Sequence, residues 1–229
     1  SMSPALSAQT EATYAWEAYN DCYGSNTIDN TSSISLDGGT SGTEGNLLNF
    51  ASGEPTGVTA QFTSSRTLSR STSGGPTNSD TDAYTTFNDR VNLVGNIQYN
   101  VSAGPGDWWA DITLRHLDPD KTYTFAITAN RASSNLAGRV TRYTLSGDVS
   151  ATNASTEGVG VENDHSVYFS TGYNTENGYV ARWTGINPGT DGRIVIRAQN
   201  HTSEEPSVYV CGGFMLAEEE ESSDPTITT

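Results

Sequence analysis

The chain has 229 residues, with 11 lysines and arginines against 27 acids, a formal net charge of −16 and an isoelectric point near 4.3. So acidic a surface argues against nucleic acid, whose binding rests on cations that displace counterions. It also disfavours anionic polymers as general electrostatic partners, although a local arginine cluster can hold one carboxylate or sulfate. One all-β domain accounts for the length, and no run of about 18 apolar residues is present to form a membrane-spanning helix.

Helical periodicity is almost absent, while short β-branched and aromatic runs separated by Gly, Asn, Asp and Pro recur throughout. Residues 1–10, opening with Ser1-Met2, lack a core-forming pattern and are expected to be a tag scar and flexible terminus. The first strands are predicted at 13–19 (TYAWEAY), 47–51 (LLNFA) and 57–64 (GVTAQFTS). Residues 64–82, SSRTLSRSTSGGPTNSDTD, have no clear period and predict a long loop. Strands follow at 96–102 (NIQYNVS) and 108–114 (WWADITL). In TYTFAIT (122–128), Tyr123, Phe125 and Ile127 share one face, with Thr122, Thr124, Ala126 and Thr128 on the other. Further strands fall at 139–146, 165–170 and 178–184, then at 193–198, where Ile194, Ile196 and Ala198 share a face and arginines flank on the other. The last, SVYVCGGFML, spans 207–216. Roughly a dozen short strands bounded by turn residues predict an all-β, antiparallel β-sandwich or barrel. Its body is expected over 11–217, with 218–229 as an acidic flexible tail or interdomain linker.

Cys22 and Cys211 sit near opposite ends of the chain. If paired they close almost the whole domain, for which chain entropy predicts on the order of 5 kcal/mol. The alternative is two separate buried thiols.

Catalytic signatures are sparse. His116, His165 and His201 lie in no recognisable catalytic pattern, and no G-x-S-x-G elbow is present. Paired carboxylates drawn from Asp111, Glu162, Asp164 and Glu176 could line a groove, or be solvated surface acids. No Cys/His zinc spacing occurs. Asn78, Asp80, Asp82 and Asp89 occupy positions 1, 3, 5 and 12 of an EF-hand-like loop, but Ala83 stands where that motif requires glycine. A structural calcium ion on Asp80 and Asp82, or on Glu17 and Asp21, is the remaining metal expectation. Sequons at Asn30, Asn100, Asn153 and Asn200 matter only in a glycosylating source.

The stretch GPGDWWADI (104–112) carries adjacent tryptophans, which an extended strand must send to opposite faces. Trp108, Ala110, Ile112 and Leu114 form the core face, so Trp109, Asp111, Thr113 and Arg115 form the polar one. An indole among short polar side chains can stack on the apolar face of a pyranose while neighbours bond its hydroxyls. The competing reading is a satellite cluster in which Trp109 is covered by a loop or strand. Two loops offer further polar groups: ANRASSNLAGR, with Asn130, Arg131, Asn135 and Arg139, and GYNTENGY, with Tyr173, Asn174, Glu176 and Asn177. The competing readings are that Arg131 and Arg139 pair with surface acids, and that the second loop is a simple hairpin turn.

HLDPDKTYTFAITANRA, TRYTLSG and YNTENGYVARWTGINPGTDGRIVI together resemble β-sandwich modules of large secreted bacterial proteins, often found beside carbohydrate-active enzymes. The resemblance covers roughly residues 11–217 and implies a jelly-roll carbohydrate-binding module. The expected activity is non-catalytic tethering of a secreted or cell-surface protein to a polysaccharide, with other domains of the same polypeptide as partners. The alternatives are a structural or adhesive spacer without a small ligand, and a polysaccharide-active enzyme with paired carboxylates; the same sandwich serves all three.

Overall fold

The computed structural model of the chain describes residues 13–23, 28–99, 107–147, 149–202 and 204–221. The chain runs through β1 (Tyr14–Asp21), β2 (Gly39–Ser41), β3 (Gly45–Leu48), β4 (Pro55–Ser71), α1 (Asp82–Phe87), β5 (Asn96–Tyr99), β6 (Ala110–Arg115) and β7 (Tyr123–Thr128). It continues through a single 3-10 turn (Ser134–Leu136), β8 (Val140–Ser146), β9 (Ser150–Asn153), β10 (Gly160–Asn163), β11 (Ser166–Ser170) and β12 (Ala181–Asn187). The last strands are β13 (Ile194–Asn200), β14 (Val208–Cys211) and β15 (Gly213–Glu219).

These strands form two antiparallel sheets. The smaller has the order β1-β15-β7-β12-β9; the larger runs β10-β11-β8-β13-β6-β4-β5-β14, with β2 and β3 beside β4. The expected all-β sandwich architecture is therefore observed.

Alternation decides what lies between the sheets. Phe125, Ile127, Trp183, Phe214 and Leu216 of the smaller sheet meet Phe62, Ile112, Leu114, Tyr143 and Ile196 of the larger one in a common core. Phe214 touches both layers, with ring centroids 6.2 Å from Phe62 and 5.6 Å from Phe125. Trp108 is buried in this core and donates its indole N–H to the Pro206 carbonyl at 2.9 Å.

The outer face of the smaller sheet is also covered. Tyr19, Ala126, Met215 and Ala217 form a second cluster with Ala83 and Phe87 of α1 and with Val91 and Leu93 beyond it. The Thr81 side chain caps α1, and Asp82 ties the helix to β12 through two bonds to Arg182, at 2.8 and 2.9 Å. Burial pushes the Asp82 carboxyl up, but the Arg182 guanidinium and the hydroxyls of Thr156 and Thr86 outweigh it and hold the group below its usual range.

Several expectations need correction. The predicted 64–82 loop begins as strand: β4 has 17 residues, pairing with β6 in its middle and with β5 at its end. Leu68 is buried, but Arg66 and Arg70, which alternation sets on its face of the strand, are exposed, so a single apolar residue marks the inward side here. Strands β2, β9 and β10 were not predicted because they hold almost no apolar residues. The acidic tail expected from 218 starts inside β15. Glu219 accepts hydrogen bonds from Thr122 and Thr124, both at 2.9 Å, and from the Gly185 N–H at 2.7 Å, while Glu218 accepts from the Trp16 indole. The expected terminal scar at 1–10 and the remainder of the tail from 222 lie outside the described residues.

Cys22 and Cys211 are joined in a disulfide, with Cα atoms 5.8 Å apart and a separation of 189 in sequence. The bridge fastens the end of β1 to the end of β14. Among the described residues no helix is long and apolar enough to cross a membrane.

Candidate functional site

The outer face of the larger sheet combines an aromatic ring with convergent polar groups. Strand register fixes its layout. Gln199 of β13 pairs with Arg142 of β8, which pairs with Tyr168 of β11, which pairs with Gly160 of β10. Ala198 pairs with Ala110, so Gln199 lies beside Trp109, and Trp109 is bonded through its backbone to Ser65. One transverse row thus reads Ser65, Trp109, Gln199, Arg142, Tyr168. The next reads Thr63, Asp111, Arg197, Thr144, Ser166.

Trp109 is half-buried on this face, with Trp108 beneath the sheet. Arg197, its diagonal neighbour, lies with its guanidinium carbon 4.6 Å from the ring centroid, a cation–π contact. Asp111 holds Arg197 in a fork, accepting from Nε at 2.8 Å and from Nη2 at 2.9 Å. These bonds to Asp111 raise the Arg197 pKa and fix its plane. The indole is therefore held by a preorganised ion pair over one ring face, and the residue as a whole stays partly exposed.

The far side of the face is built around Glu162. Its carboxylate lies 3.6 Å from Arg142 Nη1 and 3.3 Å from His201 Nδ1, and accepts from the Ser166 hydroxyl at 3.2 Å. Arg142 also donates to Gln199 at 3.0 Å. The His201 ring stacks on Tyr168 with centroids 3.7 Å apart and planes inclined by 9°. At the opposite border, Arg115 donates to Gln61 at 3.0 Å and lies 3.7 Å from Glu44.

The two loop candidates meet each other rather than this face. Asn130 is fully buried: its amide donates to the Gly75 carbonyl and to Thr175, both at 3.0 Å, and accepts from the N–H groups of Ala132 and Asn174. Asn174 is likewise buried, donating to Thr128, Ala129 and Tyr179 and accepting from the Tyr179 N–H. Both amides are saturated by the protein, which removes them as ligand contacts and makes them the ties between the two loops. Arg139 lies over the Tyr209 ring and donates to its hydroxyl at 2.9 Å, so it packs a strand end. Arg131 and Tyr173 are half-buried and Asn135 is exposed in the 3-10 turn, while the Tyr173 N–H donates to the Ser170 hydroxyl at the end of β11 at 3.2 Å.

The acids considered for calcium do not converge. Asp82 is taken by Arg182, and Asp80 is exposed before the helix. Asp21 is buried, accepting from the N–H groups of Tyr23 and Asn92, and burial raises its pKa against those bonds. Glu17 is four residues away on the same strand, about 13 Å at strand rise. Among the described residues no group of three or more His, Cys, Asp or Glu side chains has metal-binding geometry. Asp111 and Glu162 share the sheet face, but the Glu162 carboxylate is bonded to Ser166, which lies in the row of Asp111 three strand spacings away, about 14 Å across the strands. Glycosidase carboxylates stand about 5–9.5 Å apart.

Arg142, Tyr168, Arg197 and Gln199 were not among the residues singled out from sequence. The alternation of 193–198 already sends Arg193 and Arg197 outward; what it lacks is the register that sets Arg197 against Asp111. Comparison of the chain with protein-family models, curated proteins and solved structures finds no match, so the site stands on its own geometry.

Proposed function

We propose that this domain is a non-catalytic carbohydrate-binding module that docks a polysaccharide on the outer face of its larger sheet, with Trp109 as the stacking platform. The observation that carries the reading is the half-buried Trp109 ring, displayed on a polar strand face and clamped by the Arg197–Asp111 pair. A fixed planar ring offers a C–H stacking surface at little entropic cost, and Gln199, Arg142, Thr63, Thr144 and Ser65 supply hydroxyl-directed donors and acceptors around it. The Cys22–Cys211 bridge fits an oxidising compartment, and so a secreted or cell-surface protein. Binding would raise the local concentration of attached domains at their substrate.

Affinity electrophoresis through gels containing a panel of polysaccharides, with release of reducing ends followed in parallel, tests this. The expected result is retention by at least one polymer without release, abolished in Trp109→Ala. Absence of retention by folded protein on a broad panel would favour a structural spacer, and release would favour an enzyme.

A further inference from the structure

We infer that the glycan taken by this face is neutral rather than uronic or sulfated; the inference rests on the carbohydrate-binding reading above. Its basis is the pairing of charge across the sheet. Arginine on a binding face ordinarily suggests an anionic ligand, because the planar fork matches carboxylate and sulfate oxygens. Here the outward arginines of β6, β8 and β13 already direct their forks at carboxylates of the protein itself. Arg197 gives Nε and Nη2 to Asp111, Arg142 lies 3.6 Å from Glu162, and Arg115 lies 3.7 Å from Glu44. His201, if protonated, would meet the same Glu162 at 3.3 Å.

An anionic sugar would have to displace one of these carboxylates or bind beside it. Displacing Asp111 is the worse case, since its side chain is only 12% exposed and would be left in the sheet face without its cation. Binding beside it brings like charges together on a chain whose net charge is already −16. Arg193 is exposed and faces the same side, but it precedes β13 and stands six residues from Gln199, about 20 Å along the strand. A hydroxyl-rich neutral chain meets neither obstacle: it accepts from the N–H groups that the carboxylates leave free and donates to carboxylate, amide and threonine oxygens. The row from Trp109 to Tyr168 crosses three strand spacings, about 14 Å, which is longer than one sugar ring and suits a chain lying across the strands.

The test compares retention of the wild-type domain and of Trp109→Ala on a neutral glucan, xylan and mannan, on polygalacturonate and on a sulfated galactan, at about 0.05 M and about 0.5 M salt. The inference expects Trp109-dependent retention on a neutral polymer, at least about tenfold stronger than on either anionic one, and nearly indifferent to salt. Retention on an anionic polymer that equals or exceeds the neutral ones, needs Trp109 and weakens with salt would overturn neutrality while leaving the carbohydrate reading intact. No retention on any polymer, with the protein folded, would remove both. As a second measurement, Asp111→Asn, checked for folding by circular dichroism, is expected to gain retention on polygalacturonate because Arg197 loses its internal anion. A folded variant that stays indifferent would contradict the role given to Asp111.

Discussion

Trp109 owes its position to its neighbours more than to its own burial. Arg197 covers it and Asp111 orients Arg197, so the three side chains act as one unit. Trp109→Ala is expected to lower unfolding stability by only about 1 kcal/mol, the scale of one partly exposed cation–π contact, while abolishing glycan retention. A loss several times larger in chemical denaturation would place the ring in the structural core instead. The Asp82–Arg182 pair offers a second test at this scale, on the opposite side of the molecule. Because the folded state holds the Asp82 pKa below the ordinary 3.8, its contribution is present above that value and disappears as pH falls through the depressed one. The stability gap between wild type and Asp82→Asn should therefore narrow below about pH 4. Arg182→Met, which strands a half-buried carboxylate, should cost about 2 kcal/mol at neutral pH by denaturant titration. The outward direction of Trp109 was legible from alternation alone, because Trp108 and Trp109 cannot share a face. Arg197 and Asp111 were visible as residues, but not as a pair, since register is a long-range property.

At the scale of elements, the loops 129–139 and 172–179 form one knot. The backbone N–H groups of Arg131 and Ser133 donate to Thr171 and Gly172, and Asn130 and Asn174 bond to each other's segments. Gly172 has room for no side chain: a Cβ there would fall 1.8 Å from the Leu136 carbonyl oxygen. Asn130→Ala is expected to destabilise the fold by about 2–4 kcal/mol, by leaving several buried backbone groups unpaired, with glycan retention per folded molecule unchanged. Loss of retention with stability intact would return that loop to the binding site. In sequence, an amide that ties two loops and one that meets a sugar have the same local pattern, so the part these asparagines play is not legible there. Strands with strong alternation, such as β7 and β13, were legible with their faces correctly assigned. The second half of β4 and helix α1 were not. SSRTLSRS is too polar to announce a strand, and six helical residues carry less than two turns of periodicity.

For the molecule as a whole, the disulfide closes nearly the entire domain. In the chain-entropy model, a loop of 189 residues is worth about 5 kcal/mol, so reduction should shift the denaturant midpoint strongly downward. A shift of less than about 1 kcal/mol would mean that the reduced unfolded chain is already compact. The two-sheet architecture was legible because it follows from strand period and turn residues. The helix-covered outer face of the smaller sheet was not, because Ala126 and Ala217 are too small to signal burial by themselves. That cover leaves the larger sheet as the broad polar face on which the proposed docking depends. The most direct test is a ¹H–¹⁵N spectrum of the four tryptophan indoles during titration with an oligosaccharide of the retained polymer. The account predicts that the Trp109 signal shifts on binding while buried Trp108 and Trp183, and Trp16 beside Glu218, stay in place. Saturable binding that moves the Trp16 signal, or none of the four, would contradict it.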